Sequence, residues 1–122
     1  MFNPNYICLC GLIPFMYSSM YNINNIHSLS ILFFGVLFHT NKDNNYFRIL
    51  DIIQCFLNGG IVFILNPESR IYGTLTLGLY LINSRYLKND YIHQVVQLSA
   101  WRGISIYENK LTLMVDEDKK NN

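Results

Sequence analysis

The stretch FRILDIIQCFLNGGIVFIL, from Phe47 to Leu65, decides the fold of this chain. It holds nineteen residues, and its only charged side chains are Arg48 and Asp51, close to its start. A helix rises about 1.5 Å per residue, so about 20 mainly apolar residues cross the roughly 30 Å hydrocarbon layer of a bilayer. The stretch therefore predicts a helix that can span a membrane.

Three shorter apolar stretches accompany it, and short polar segments separate all four. These stretches run from Tyr6 to Tyr21, from Ile26 to Thr40, and from Ile71 to Asn83. In the segment 66–70, Pro67 ends one helix and Ser69 is placed to cap the next. Pro14 predicts a kink in the first helix. Because the connecting segments are short, neighbouring helices are predicted to be antiparallel, as in a small all-α bundle.

The composition also favours a lipid environment. Charged residues make up 14% of the 122 residues, well below the roughly 25% of soluble domains. A net charge of +1 excludes nucleic acid as a partner, since binding phosphates needs a clustered basic face. The three cysteines all lie in apolar stretches, which argues against a disulfide framework. The bilayer is the expected partner, with further copies or other membrane proteins; a soluble helical domain is the alternative.

The segment from Ile92 to Tyr107 is predicted to be an amphipathic helix, since apolar and small residues recur on one face. It suits either the membrane interface or the inner wall of the bundle. If it lies at the surface, four spans leave eight of the nine basic residues on one side, against Arg70 alone. That bias predicts both termini in the cytosol. If the segment spans as a fifth helix, the split is four against four, with Arg102 in the membrane.

The charge distribution also divides the chain into two parts. Residues 1–107 form the predicted helical membrane domain, and residues 108–122 carry charges of both signs. A terminal segment of this kind is typically solvated. It is predicted to be a polar, partly disordered tail.

Ionisable residues inside apolar segments are the first candidates for a functional site, because burying them in a membrane is costly. They are His39, Arg48, Asp51 and His93. Each also has a structural interpretation: Asp51 pairs with Arg48 at the membrane interface, His39 ends a helix, and His93 lies on the wet face of an amphipathic helix. Cys8-x-Cys10 is interpreted as helix packing rather than as a metal motif.

The tetrapeptide Leu-Phe-His-Thr from Leu37 to Thr40, followed by Leu50-Asp51 at the start of the next apolar span, resembles the progestin and adiponectin receptor family and its haemolysin III relatives. In that superfamily, which includes alkaline ceramidases, a helix-end histidine, a carboxylate on the next helix and a late His-x-x-x-His pair build a zinc site. The resemblance implies that His39 and His93 are zinc ligands. It implies that Asp51 orients or activates the zinc-bound water.

The sequence departs from this family pattern in three ways. Gln97 stands where the second histidine of the late pair is expected, and Gly35 stands where the family usually has serine. The chain also has fewer spans than the seven of the family, and the resemblance covers only residues 31–64.

Three functions therefore compete. The first is a noncatalytic structural or assembly protein, which the incomplete site favours. The second is a reduced zinc-dependent hydrolase of lipid amides. The third is a small channel or transporter subunit, based on the polar stripe of Asp51, Gln54 and Asn58 along one helix.

Overall fold

The computed structural model describes residues 3–121, which form helices joined by short turns. The helices are α1 (Tyr6–Cys10), α2 (Ile13–Tyr21), α3 (Ile26–Thr40), α4 (Asn45–Leu65), α5 (Arg70–Ile82) and α6 (Asp90–Asn121). A 3-10 turn, Pro67–Ser69, precedes α5, and a π-helical turn, Asn83–Leu87, follows it. The predicted all-α fold is confirmed.

Among the described residues, α4 is the one helix long and apolar enough to cross a membrane. The segment Tyr6–Tyr21 and helix α3 are apolar but shorter. Only 11% of the most apolar window of α4 is buried inside the protein. Its exposed face carries large apolar side chains, including Ile49, Ile53, Phe56, Leu57 and Ile61.

The first helical segment is broken rather than kinked. It is interrupted by a turn at Gly11 and Leu12, and Pro14 lies in the first turn of α2. Proline is tolerated there because its missing N–H would have no partner within the helix. Gly11 allows the close approach of Gln97, since a Cβ on it would lie 1.6 Å from Oε1 of that side chain.

The residues before α1 pair with the end of α3. The backbone N–H of Asn3 donates to the carbonyl of Thr40 at 2.9 Å, and that of Asn5 donates to the carbonyl of His39 at 2.6 Å. The N–H of Lys42 returns a hydrogen bond to Asn3. The last carbonyls of a helix have no partner within it, so this pairing satisfies two of them. It also brings α1 alongside the end of α3.

Helix α6 packs inside the bundle, not on its surface. His93 lies against His39 near one end of α3, and the Glu108 side chain bonds Ser28 near the other end, so α6 is antiparallel to α3. The apolar core joins α2, α3, α4 and α6 through Leu12, Phe15, Ile31, Val62 and Ile104.

Two details of α6 differ from the sequence-based expectations. The helix continues through the predicted tail to Asn121, although every side chain from Leu113 to Asn121 is exposed. Trp101, of a residue type usually enriched at the membrane interface, is half-buried and donates its indole N–H to the hydroxyl of Ser18 at 2.8 Å. The indole therefore ties α6 to α2.

The turn before α5 contains one further difference. Ser69 occupies the predicted N-cap position but makes no side-chain cap. Its hydroxyl donates instead to the carbonyl of Gly103 at 2.6 Å and accepts from the amide of Asn66. Both side chains are buried, so this turn is held against the middle of α6.

Candidate metal centre

Three side chains from three helices meet at one end of the bundle. The potential ligand atoms of Cys8 (α1), His39 (α3) and His93 (α6) all lie within 4.8 Å of one another. The two imidazole rings stand nearly edge to face, with centroids 5.2 Å apart and an interplanar angle of 70°. One sulfur and two imidazole nitrogens form a ligand set typical of zinc sites.

Cys8 is held in place through the backbone of α1. The side chain of Asn5 caps this helix by accepting the N–H of Cys8 at 3.2 Å. Two amides of α6 hold the other side: Gln94 donates to the carbonyl of Ile7 at 2.6 Å, and Gln97 donates to that of Cys8 at 2.9 Å. The backbone that carries the thiol is thus held by hydrogen bonds from Asn5 and from α6.

The two histidines lie at helix ends that face each other. His39 is in the last turn of α3, and its carbonyl accepts the hydrogen bond from Asn5. His93 is in the first turn of α6, with its N–H bonded to the carbonyl of Asn89 at 3.1 Å. Because both rings project from ordered helical turns, the cluster does not depend on a long loop.

The cluster is shielded from solvent. Cys8 is 3% exposed and His39 is 4% exposed, while His93 is half-buried. In a tetrahedral zinc site, bonds of about 2.0–2.3 Å put neighbouring ligand atoms roughly 3.3–3.6 Å apart. The three side chains would therefore need to close by about 1 Å, a change that rotation about their χ angles supplies. The three residues therefore suit a zinc ion both in the chemistry of their ligand atoms and in the distances between these atoms.

Asp51 lies apart from this cluster. Its carboxylate accepts from the Gln54 amide at 3.1 Å and from the Cys55 thiol at 3.9 Å, both on its own helix. These bonds replace the expected pairing with Arg48. The amide of Gln54 in turn accepts from Asn58 at 3.1 Å.

This polar stripe of Asp51, Gln54 and Asn58 reaches the neighbouring helix. Asn58 Oδ1 is 2.7 Å from Nδ1 of His27, which is buried at the start of α3. His27 was not among the ionisable residues that the sequence singled out as candidates. The contact shows that at least one end of the stripe joins two helices.

Sequence reasoning found the two histidines and missed the cysteine. The spacing Cys8-x-Cys10 suggested a pair, but Cys10 is exposed while Cys8 is buried. Gln97, at the position where the family resemblance implies a histidine, bonds the backbone of Cys8 instead. The third candidate ligand therefore comes from the first helix.

Gly35 lies where α3 closely approaches the break between α1 and α2. A Cβ at this position would lie 2.9 Å from both Cδ atoms of Leu12. Leu12 is 2% exposed and belongs to the core cluster, so it has little room to move. The close approach of α3 to the break between α1 and α2 depends on this glycine.

Two surface cavities occur elsewhere, and neither is lined by a residue of the metal cluster. One, of about 250 Å³, is lined by Leu65, Asn66, Tyr107, Lys110, Leu111 and Met114. The other, of about 390 Å³, is lined by Tyr72, Leu75, Val95, Leu98, Ser99, Trp101 and Arg102.

No protein family, curated protein or solved structure matches this chain. The resemblance to the progestin and adiponectin receptor superfamily thus stays a prediction from short motifs.

Proposed function

We propose that this chain is a small integral membrane protein that binds one zinc ion through Cys8, His39 and His93, and that the ion has a structural role without catalysis. The observation that carries the proposal is the convergence of three ligand side chains from α1, α3 and α6 at a buried point. Convergent cysteine and histidine side chains from separate elements are the usual makeup of a structural zinc site.

The role follows from which helices the ligands join. A zinc site that does not exist in the unfolded chain adds its binding energy to the folding energy. Here the ion would tie the short helix α1, of five residues, to the end of α3 and the start of α6. A helix of that length has little stability of its own, so α1 gains most from the ion.

The membrane assignment rests on the exposed apolar surface. The core helix of a soluble protein is mostly buried, whereas α4 is 11% buried over its apolar window. A chain that exposes this much contiguous apolar surface needs lipid or protein partners to cover it. The partners that fit are the bilayer itself and, along α4 and α5, a second copy or another membrane protein.

We propose that this protein crosses the membrane five times. The crossings are α1 together with α2, then α3, α4, α5 and α6. The sequence favoured four spans and two cytosolic termini on the premise that residues 92–107 lie at the surface. Their packing among the other helices supports the fifth crossing instead, with the termini on opposite sides. Basic residues are then split four against four and select neither side.

The two alternative functions have weaker support. A zinc hydrolase needs an open coordination position and a base near the metal, but the carboxylate of Asp51 bonds within α4, apart from the cluster. A channel subunit would use the polar stripe of α4, but the hydrogen bond between His27 Nδ1 and Asn58 Oδ1 favours adhesion between helices.

The test is the metal content of the detergent-purified protein. We expect about one zinc per chain in the wild type and far less in Cys8→Ala, His39→Ala and His93→Ala. His27→Ala is the matched control, because it removes a buried histidine outside the cluster. Wild-type protein without zinc, or equal zinc in all variants, would contradict the proposal.

A second readout separates a structural ion from a catalytic one. Zinc at a thousand times its dissociation constant stabilises the folded state by about 4 kcal/mol. Chelation should therefore lower the unfolding temperature of the wild type and leave that of Cys8→Ala unchanged. Lipid-amide hydrolysis that depends on zinc and on His39 would favour the hydrolase instead.

A further inference from the structure

A fourth side chain, Asp90, lies beside Cys8. Asp90 is the first residue of α6, and its Oδ1 is 3.8 Å from Sγ of Cys8. Residues three apart on a helix lie on the same face, so Asp90 and His93 project to the same side of α6. The spacing Asp-x-x-His thus offers one oxygen and one nitrogen from a single turn.

The first turn of α6 does not need Asp90 as its cap. Asn89 performs that role, since its side-chain oxygen accepts the N–H groups of Tyr91 at 2.8 Å and Ile92 at 3.3 Å. A carboxylate in the first turn also has a favourable interaction with the helix dipole, but that interaction does not require the approach to Cys8. The carboxylate of Asp90 is therefore free to act as a ligand.

The turn before α6 holds Asp90 in this position. Asn83, which is buried, accepts the N–H of Lys88 with its carbonyl at 2.6 Å and the N–H of Asn89 with its side chain at 2.9 Å. Lys88 adopts a left-handed conformation with φ 48°, which costs about 1–2 kcal/mol in a residue other than glycine. The strained turn starts α6 directly beside α1.

On these grounds we propose that Asp90 is the fourth zinc ligand, which closes a tetrahedral Cys–His–His–Asp site. This inference rests on the proposed binding of zinc by Cys8, His39 and His93. The distance from Oδ1 of Asp90 to Sγ of Cys8, 3.8 Å, is close to the roughly 3.5 Å between a sulfur and an oxygen bound to one zinc ion.

Charge balance favours the same ligand set. A thiolate and a carboxylate together neutralise the two positive charges of zinc, and a neutral site is the least costly to bury. Without metal, the thiol of Cys8 donates its hydrogen to Asp90. Zinc binding replaces that proton, which is released to solvent. Mixed sulfur, nitrogen and oxygen ligands in tetrahedral geometry suit zinc and cobalt(II) better than calcium or magnesium.

The test uses cobalt(II) as a spectroscopic substitute for zinc in the detergent-purified full chain. We expect the wild type to bind one cobalt ion, with a sulfur-to-cobalt charge-transfer band and the intense visible bands of a tetrahedral site. Added azide should leave this spectrum unchanged, because four protein ligands leave no open position.

The decisive variant is Asp90→Asn. It should keep the sulfur band, bind the metal at least about tenfold more weakly, and change its spectrum when azide is added. Asp43→Asn is the matched control, since it removes a carboxylate from the same end of the bundle that bonds Asn3. It should behave as the wild type does.

A second variant, Asp90→Cys, tests the same proposal in case Asp90→Asn does not fold. Asp90→Cys keeps a ligand at the position, and the added sulfur should strengthen the charge-transfer band. Two results would show that Asp90 is not a ligand and that only the three-residue site remains. One is a wild type that binds cobalt but changes its spectrum when azide is added. The other is an Asp90→Cys variant whose sulfur band is the same as that of the wild type. If the wild type binds neither zinc nor cobalt, the proposed function fails together with this inference.

Discussion

Glu108 offers the sharpest test of how the far end of the bundle is held together. It is 3% exposed, and its carboxylate accepts hydrogen bonds from the hydroxyl and the N–H of Ser28, in the first turn of α3. Asn25, at the N-cap position of α3, makes no side-chain cap and donates to the carbonyl of Ser18 instead. Glu108 thus caps α3 from another helix, where a negative charge is favourable.

The size of the effect follows from these contacts. A hydrogen bond to a charged group contributes about 1.5–3 kcal/mol. Ser28→Ala removes the hydroxyl donor and leaves the carboxylate with the backbone N–H alone. We expect it to lower the free energy of unfolding by about 2 kcal/mol.

The pH dependence tests the charge itself. Burial raises the pKa of Glu108, while the bonds from Ser28 and the nearby His27 act in the opposite direction without cancelling it. A raised pKa means that the folded state holds the proton more tightly than the unfolded state. The stabilisation is complete below the ordinary value of 4.5 and is lost as the pH rises through the raised pKa.

The assay is chemical unfolding in detergent, followed by circular dichroism between pH 4.5 and pH 8, with wild type compared with Glu108→Gln. Relative to this variant, the wild type should gain stability as the pH falls. Glu68→Gln is the control, because Glu68 is exposed and forms an ion pair with Lys110 at 3.7 Å. A wild-type advantage that is constant across the range, or that grows with pH, would refute the account of Glu108.

Two further predictions concern the backbone. Gly35→Ser should lower the free energy of unfolding by about 1–3 kcal/mol through its clash with Leu12. Gly78→Ser, in open space on α5, should cause no loss, because serine has the higher helix propensity. Equal losses in the same unfolding assay would contradict the packing argument. Lys88→Gly should raise the free energy of unfolding by about 0.5–1 kcal/mol, because glycine adopts a positive φ without strain, and a loss of stability would show that the turn is not strained.

Much of the helical architecture was predictable from the sequence. The stretch Ile26 to Thr40 is a helix with those bounds, and the long apolar run ends at Leu65 as expected. Local features carry this information: runs of apolar residues form helices, and polar segments with asparagine or proline end them. The break at Gly11 was less visible, because the residue packed against this glycine, Gln97, comes from α6, far along the chain.

The candidate site was predictable only in part. His39 and His93 were conspicuous because an ionisable residue in an apolar segment needs a reason. Cys8 was not conspicuous, because cysteine is often buried in apolar helices and its burial needs no functional explanation. Asp51 was conspicuous for the same reason as the histidines, but its bonds stay within α4.

The sequence by itself determined the helices, the apolar surface of α4 and two of the three candidate ligands, because these depend on neighbouring residues and on helical periodicity. The tertiary structure alone decided that α6 lies within the bundle and that Cys8 meets His39 and His93. These contacts join residues far apart in the chain, because they follow from the packing of whole helices against one another. Hydrophobic periodicity indicates which face of a helix is buried, but it does not indicate which helix covers that face.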